Sequence, residues 1–364
     1  MVADIALYAL VDPHYYDVAV GQLASGWRPW FKGLCANIGV QILSYAGLRR
    51  EVNLFTMSQT PLHLQTPLLE SRALSLAAQR TVWLKMEALQ PPGSFKIRGI
   101  GHACQIHAQR GAKRFVSSSG GNAGMAVAYA GRVLNIPVTV VVPQTTTARA
   151  QELLRLENAD VIVHGASWQE ANELALSMVG PDDAFLHPFD DPLLWTGHAS
   201  MVDEVARAGV VPDAVVLSVG GGGLLSGVAE GMARNGWGQV PIIAVETNGA
   251  ASLHAAMQAG HTVALDAITS IAGSLGAKRV CEQAFQWTQK RPVQSVLVSD
   301  ASALDACERF LADHRVLVEP ACGASLALAY EANAALAPYR NVLFIVCGGA
   351  TATVAQIRQW RQAA

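Results

Sequence analysis

The chain has 364 residues, 51% hydrophobic and only 15% charged, with a net charge of −2 and a pI near 6.5. That length corresponds to about two domains, and the composition suits an α/β protein whose sheets are covered on both faces. No basic run or aromatic-basic stripe marks a nucleic-acid footprint, so no nucleic-acid partner is expected.

Residues 1–56 differ in texture from the rest. They hold four of the seven tyrosines (Tyr8, Tyr15, Tyr16 and Tyr45) and lack the alternation of strands and helices found later. Residues 30–48 are fairly apolar, but Lys32, Asn37, Gln41, Ser44 and Tyr45 interrupt them, and a spanning helix needs roughly 20 mostly apolar residues. No basic segment precedes this stretch and no clear cleavage site follows it, so neither a membrane span nor a signal peptide is expected. Met57 could itself open a compact protein, and residues 1–56 are read as an appendage or an over-extended start.

From Met57 onward the pattern is regular. Strands are predicted at 81–86, 114–117, 138–142, 160–163, 214–219, 242–246, 295–298 and 342–346. Helices are predicted at 94–109, 122–133, 148–158, 168–179, 193–208, 224–234, 302–313 and 321–337, with a last one ending near Trp360. The strand at 138–142 is β-branched throughout. Continuous apolar strands alternating with helices predict parallel, doubly wound sheets. The six cysteines (Cys35, Cys104, Cys281, Cys307, Cys322 and Cys347) form no CxxC pair and no metal-ligand spacing; they read as free thiols of a reducing cytoplasm.

Four segments carry chemistry. Gly93-Ser94-Phe95-Lys96-Ile97-Arg98-Gly99 stands where a helix should begin, with Ser94 as the expected N-cap. Lys96 then lies in the first turn, where the helix dipole disfavours a cation and favours a neutral, nucleophilic amine. Taken alone, this would far more often be an ordinary surface lysine. Residues 117–124, SSSGGNAG, join a strand to a helix and offer N–H groups, hydroxyls and an amide to a carboxylate, though turn propensity alone would explain them about as well. Gly220-Gly221-Gly222-Gly223-Leu224 links a buried strand to an apolar helix and can wrap a phosphate closely. It matches neither GxGxxG nor the P-loop pattern. Val346-Cys347-Gly348-Gly349 follows the last strand. All four sit beyond carboxyl ends of strands, where ligands of open α/β sheets bind.

In this order the segments resemble the serine dehydratase-like group of the fold type II (tryptophan synthase β-like) pyridoxal-phosphate enzymes. The matching stretches are GSFKIRGIGH, SSSGGNAGMA, PFDDPLLWTGHAS, LSVGGGGLLSGV, LVEPACGASLA and IVCGG, spread from about Thr60 to Arg358. The resemblance implies a pyridoxal 5'-phosphate lyase of amino-acid catabolism, an L-serine/L-threonine dehydratase. It implies that Lys96 carries the cofactor and moves the substrate α-proton, and that Phe95 lies against the cofactor ring. Ser119, Gly120, Gly121 and Asn122 would bind the substrate carboxylate, with Asn122 also near the phenolic oxygen. Gly220, Gly221, Gly222, Gly223 and Leu224 would bind the phosphate. Cys347 would face the pyridine nitrogen; a normally uncharged thiol would not hold that nitrogen protonated, which favours prompt elimination. Glu246, Ala250 and Leu275 match a monovalent-cation (K+) site of the family, although Glu246 reads equally well as a solvated strand-end carboxylate.

The same resemblance implies a large domain of residues 57–97 plus 191–364, a small inserted α/β domain of 98–190 that closes over the substrate, and a cytoplasmic homodimer. Two departures matter. Related serine racemases carry a serine where this chain has Gly120, so racemisation is disfavoured, and glycine is expected to leave that loop roomier and less ordered. Biosynthetic threonine dehydratases carry a long C-terminal regulatory domain, whereas this sequence stops soon after IVCGG. The rivals are cysteine synthase-like β-replacement, which GSFKIRG and the VCGG ending disfavour, and an idle amino-acid- or cofactor-binding protein, which an intact Lys96 disfavours.

Overall fold

The β-branched runs become the interior strands of two sheets in a computed structural model of the chain, which describes residues 60–363. The appendage expected at 1–56 and Cys35 lie outside the described residues. In chain order, β1 (Leu68–Glu70), α1 (Arg72–Ala78) and β2 (Thr81–Lys85) precede the lysine-bearing helix α2 (Lys96–Gln109). Next come β3 (Arg114–Ser117), α3 (Asn122–Leu134), β4 (Val138–Val142), α4 (Ala148–Leu156), β5 (Asp160–Val163), α5 (Trp168–Ser177) and β6 (Asp183–Phe185). Then follow α6 (Pro192–Arg207), β7 (Ala214–Ser218), α7 (Gly223–Arg234), β8 (Ile242–Thr247), α8 (Ser252–Ala259) and α9 (Glu282–Lys290). The chain continues through β9 (Val293–Val298), α10 (Asp300–His314), α11 (Pro320–Tyr330), β10 (Asn341–Ile345) and α12 (Val354–Ala363).

One sheet has the order β1-β2-β10-β7-β8-β9 and the other β5-β4-β3-β6. The four-stranded sheet is wholly parallel. The six-stranded sheet is parallel apart from β1, which pairs antiparallel with β2 at the edge. The expectation of purely parallel sheets therefore needs this one correction; β1 is three residues long and too short to carry a period. Strands β4, β7 and β8 are buried along their whole length, as strands covered by helices on both faces must be. Separate apolar clusters form on the two sheets, one built on Val215, Val216, Ile243 and Phe344, a second on Phe115, Val140 and Ile100, and a smaller third on Val116, Val141, Ala171 and Ala175.

Local chemistry sets the helix ends. Asp191 accepts from Leu193 N at 2.7 Å with Pro192 at the first helical position, so α6 starts there. The helix expected over 321–337 stops at Tyr330, because Ala332 takes φ 46° and the Asn333 side chain starts a separate turn by accepting from Ala335 N. Ser94 is not the cap of α2. That place belongs to Phe95, while Ser94 pairs through its backbone with Gly348. The five described cysteines are buried and free.

Candidate active site

The carboxyl ends of β2, β7 and β10 open on one cleft, and α3, which follows β3 of the other sheet, supplies a further wall. Phe95, Lys96, Asn122, Gly220, Gly221, Gly222, Gly223, Leu224, Leu275 and Cys347 line it, joined by Phe189, Ser218, Ser274, Glu319 and Ala321. The loop before α2 is fastened to the loop after β10. Phe95 N donates to Cys347 O at 3.1 Å and Gly349 N to Gly93 O at 2.8 Å. A Cβ on Gly348, whose φ is +95°, would lie 2.4 Å from Gly93 O, so only glycine lets these loops meet. Lys96 and the Cys347 thiol thereby become neighbours.

The Lys96 side chain is half-buried by area, and its Nζ donates to Pro188 O at 2.6 Å. Burial lowers its pKa to about 8, against the opposing pull of Cys347, Glu319 and Cys281. Desolvation is thus a cause, beside the helix dipole expected from the sequence, that brings this amine toward neutrality. The Cys347 thiol is pushed well above its ordinary range by a hydrogen bond with the Cys322 thiol and by burial, so it is a neutral group. The Phe95 ring packs against His198 at 4.9 Å between centroids.

The glycine loop has no room for side chains. A Cβ on Gly221 would lie 2.3 Å from the Phe189 ring, one on Gly223 2.7 Å from Phe189 O, and one on Gly222 (φ +94°) 2.5 Å from Ala284. Gly222 caps α7, whose first turn leaves N–H groups without partners inside the helix. These point an anion site into the cleft. On the same wall the Ser218 hydroxyl is buried and has no hydrogen-bond partner in the structure.

Asn122 opens α3 and is almost fully buried. Its Nδ2 donates to Glu319 Oε1 at 2.7 Å, and its Oδ1 accepts from Ala350 N at 3.0 Å. Ser119, Gly120 and Gly121 lead into this helix without lining the cleft themselves; Gly121 N donates to Ser119 Oγ at 3.3 Å. The space expected beside Gly120 is filled, since a Cβ there would lie 2.7 Å from Thr146 Cγ2. Glu246 lies away from the cleft lining and is fully buried rather than solvated. Its oxygens accept from Leu253 N and His254 N, both at 2.8 Å, at the start of α8. Leu275 reaches the cleft beside Gly220, whereas Ala250 is fully buried and does not line it. Among the described residues no three His, Cys, Asp or Glu side chains cluster to hold a metal, and no helix is long and apolar enough to cross a membrane.

The family described as "Pyridoxal-phosphate dependent enzyme" matches residues 59–348. The chain belongs to that family. Within the pyridoxal-phosphate dependent enzymes it is 49% identical over 318 residues to the human L-serine dehydratase/L-threonine deaminase, covering 84% of this chain and 97% of that one. It is 42% identical over 328 residues to the L-serine dehydratase of Dictyostelium discoideum, covering 84% and 94%. The crystal structure of a fungal L-serine ammonia-lyase from Rhizomucor miehei superposes with a TM-score of 0.80 at 35% identity, over 83% of this chain and 99% of that one. The α/β architecture is that of the fold type II members of this family.

The residues present fit the family's cofactor. The cleft combines a desolvated amine, a side-chain-free loop at a helix N-terminus, an unpaired buried hydroxyl and a neutral thiol. Phe189, Ser218, Ser274 and Glu319 received no role from the sequence. Phe189 and Glu319 fall inside PFDDPLLWTGHAS and LVEPACGASLA, where the signal lay unused.

Proposed function

We propose that this chain is an L-serine/L-threonine ammonia-lyase, converting L-serine to pyruvate and ammonia and L-threonine to 2-oxobutyrate and ammonia. The observation that carries the reading is the desolvated Lys96 amine sharing one cleft with the glycine loop, Asn122 and the Cys347 thiol. The identities above to serine dehydratases support it. When bound, pyridoxal phosphate supplies an electron sink for the negative charge that develops at the substrate Cα. Lys96 holds the cofactor and then takes the α-proton on Nζ, which its near-neutral pKa permits. The N–H groups of Gly220–Leu224 and the unpartnered Ser218 hydroxyl would hold the phosphate. Phe95 and the neutral Cys347 thiol, on the same cleft wall, would hold the cofactor ring. Asn122 would orient the substrate carboxylate, joined by the backbone of Ser119, Gly120 and Gly121 once residues 98–190 close over the substrate, so that the α-proton faces Lys96 and the β-hydroxyl can leave.

The same proposal includes closure of residues 98–190 over the substrate, a K+ ion near Glu246, Ala250 and Leu275, and a cytoplasmic homodimer. The test is keto-acid production from L-serine, L-threonine and D-serine, with Lys96→Ala beside wild type. Keto acid from the L-substrates that vanishes in the variant is expected. Cofactor binding with no keto acid from any of the three would overturn the reading, and the ratio of the two L-substrates names the preferred one.

A further inference from the structure

LVEPACGASLA, residues 317–327, is the matching segment still without a task. Glu319 occupies the cap position of α11, just before Pro320. A carboxylate there would ordinarily accept an N–H of the first turn; that of Glu319 makes no such bond. Oε1 instead accepts from Asn122 Nδ2 at 2.7 Å, between two buried side chains 197 residues apart. Burial raises this carboxyl's pKa to about 7, and the Ser274 side chain beside it opposes that shift.

Asn122 is therefore held from both ends, its oxygen on Ala350 N and its nitrogen on Glu319. This network assigns the amide's orientation. The amide nitrogen has two hydrogens, so the bond to Glu319 leaves one for the cleft. Gly349 makes room for the carboxyl: its φ is +140°, and a Cβ there would lie 2.4 Å from Glu319 Cγ and Cδ. The bond also crosses the cleft, joining α3 beside the four-stranded sheet to α11, which packs under β7 and β8 of the six-stranded sheet.

We propose that Glu319 is the positioning residue of this site: by holding Asn122, Ser274 and the 347–350 loop together, its carboxyl sets how tightly cofactor and amino-acid substrate are bound. The inference rests on the pyridoxal-phosphate reading above. Its test titrates pyridoxal phosphate into cofactor-free protein, followed by tryptophan fluorescence, with keto-acid assays in parallel. The variants are Glu319→Ala, Glu319→Gln, Asn122→Ala and the Glu319→Ala/Asn122→Ala double. Each alanine variant is expected to weaken cofactor binding about tenfold, as loss of a buried hydrogen bond that leaves its partner unsatisfied would. The double variant should be no weaker than the worse single.

Glu319→Gln should recover most of the affinity, because its carbonyl still accepts from Asn122. Losses that simply add, or a glutamine variant as weak as the alanine one, would overturn the inference. Glu319→Asp, a methylene too short to reach Asn122, serves if Glu319→Ala does not fold; wild-type affinity in it would overturn the inference equally. Cofactor affinities that follow the expected pattern in a protein making no keto acid would refute the reaction and leave Glu319's role standing.

Discussion

Arg98, two residues beyond Lys96 and fully buried, offers the sharpest test of how the site is held. Its Nε and Nη2 reach Glu87 at 2.6 and 2.8 Å, and its Nη1 and Nη2 reach Glu204, both at 2.7 Å. Lys85 pairs with Glu204 on the other side. His63 lies 4.0 Å from Glu204, but burial lowers its pKa to about 4, so near neutral pH it adds no charge. Two cations thus face two carboxylates in a closed set. Arg98→Met keeps the apolar stem and removes the fork, leaving two buried carboxylates against one ammonium. Breaking a buried pair from one side costs about 3–5 kcal/mol. With a urea slope of about 3 kcal/mol/M for a chain this size, the unfolding midpoint should fall by about 1 M or more. The assay is urea unfolding of the cofactor-free protein by fluorescence. Arg98→Met/Glu87→Gln should recover part of the loss, because it removes the stranded charge. A midpoint shift below about 0.3 M, or no recovery in the double variant, would refute the reasoning.

Three further outcomes follow from the same geometry. Lys96 has its pKa lowered to about 8, so the rate of cofactor capture by apo-protein should rise about tenfold per pH unit below 8 and level off above it; a rise continuing to pH 10 would mean an ordinary lysine. Gly120→Ser puts a Cβ 2.7 Å from Thr146 Cγ2, and should destabilise by about 1–3 kcal/mol, a loss relieved in a Thr146→Ala background; equal loss in both backgrounds would contradict it. Burial raises the Glu246 pKa to about 7, against the two backbone bonds that lower it. The folded state then binds its proton between pH 4.5 and about 7 while the unfolded state has released it, so this carboxyl's contribution to stability declines as pH rises through that window. Wild type minus Glu246→Gln, measured by urea unfolding at pH 5 and pH 8, should show that decline; a difference independent of pH would refute it.

What the sequence disclosed depended on how local each feature was. Strands such as β4, Val-Thr-Val-Val-Val, are legible because burial on both faces writes a continuous apolar run. The glycine loop is legible because a strand, a helix and four glycines are contiguous. Helix α9, Glu-Gln-Ala-Phe-Gln-Trp-Thr-Gln-Lys, was missed because only Ala284 and Phe285 are buried in it. Strand β1 was missed because three residues at an edge give no period. Ser94 was misplaced by rule: serine is a favoured cap, but here the backbone bridge to Gly348 claims it and the helix starts one residue later. The Glu319–Asn122 bond could not be read at all, since 197 residues separate partners that only the packing of α3 and α11 brings together.

These long-range contacts explain why the lysine motif is informative only in company. A GSFK segment at an exposed helix start would leave Lys96 solvated and charged. Here Gly93 and Gly348 allow the loops after β2 and β10 to touch, the loop before α6 brings Pro188 O to within 2.6 Å of Nζ, and the amine loses much of its water. The Arg98 network then fixes the same helix from behind, tying α2 to α6 through Glu204 and to the turn after β2 through Glu87. The reactivity of Lys96 is therefore a property of three separated segments, residues 87–98, 188–204 and the loop after β10, and a change in any of them should reach the amine. Gly348→Ala makes this concrete. With φ at +95° and a Cβ 2.4 Å from Gly93 O, it must separate the two loops, rehydrate the amine and move the midpoint of the cofactor-capture profile from about pH 8 toward that of a free lysine.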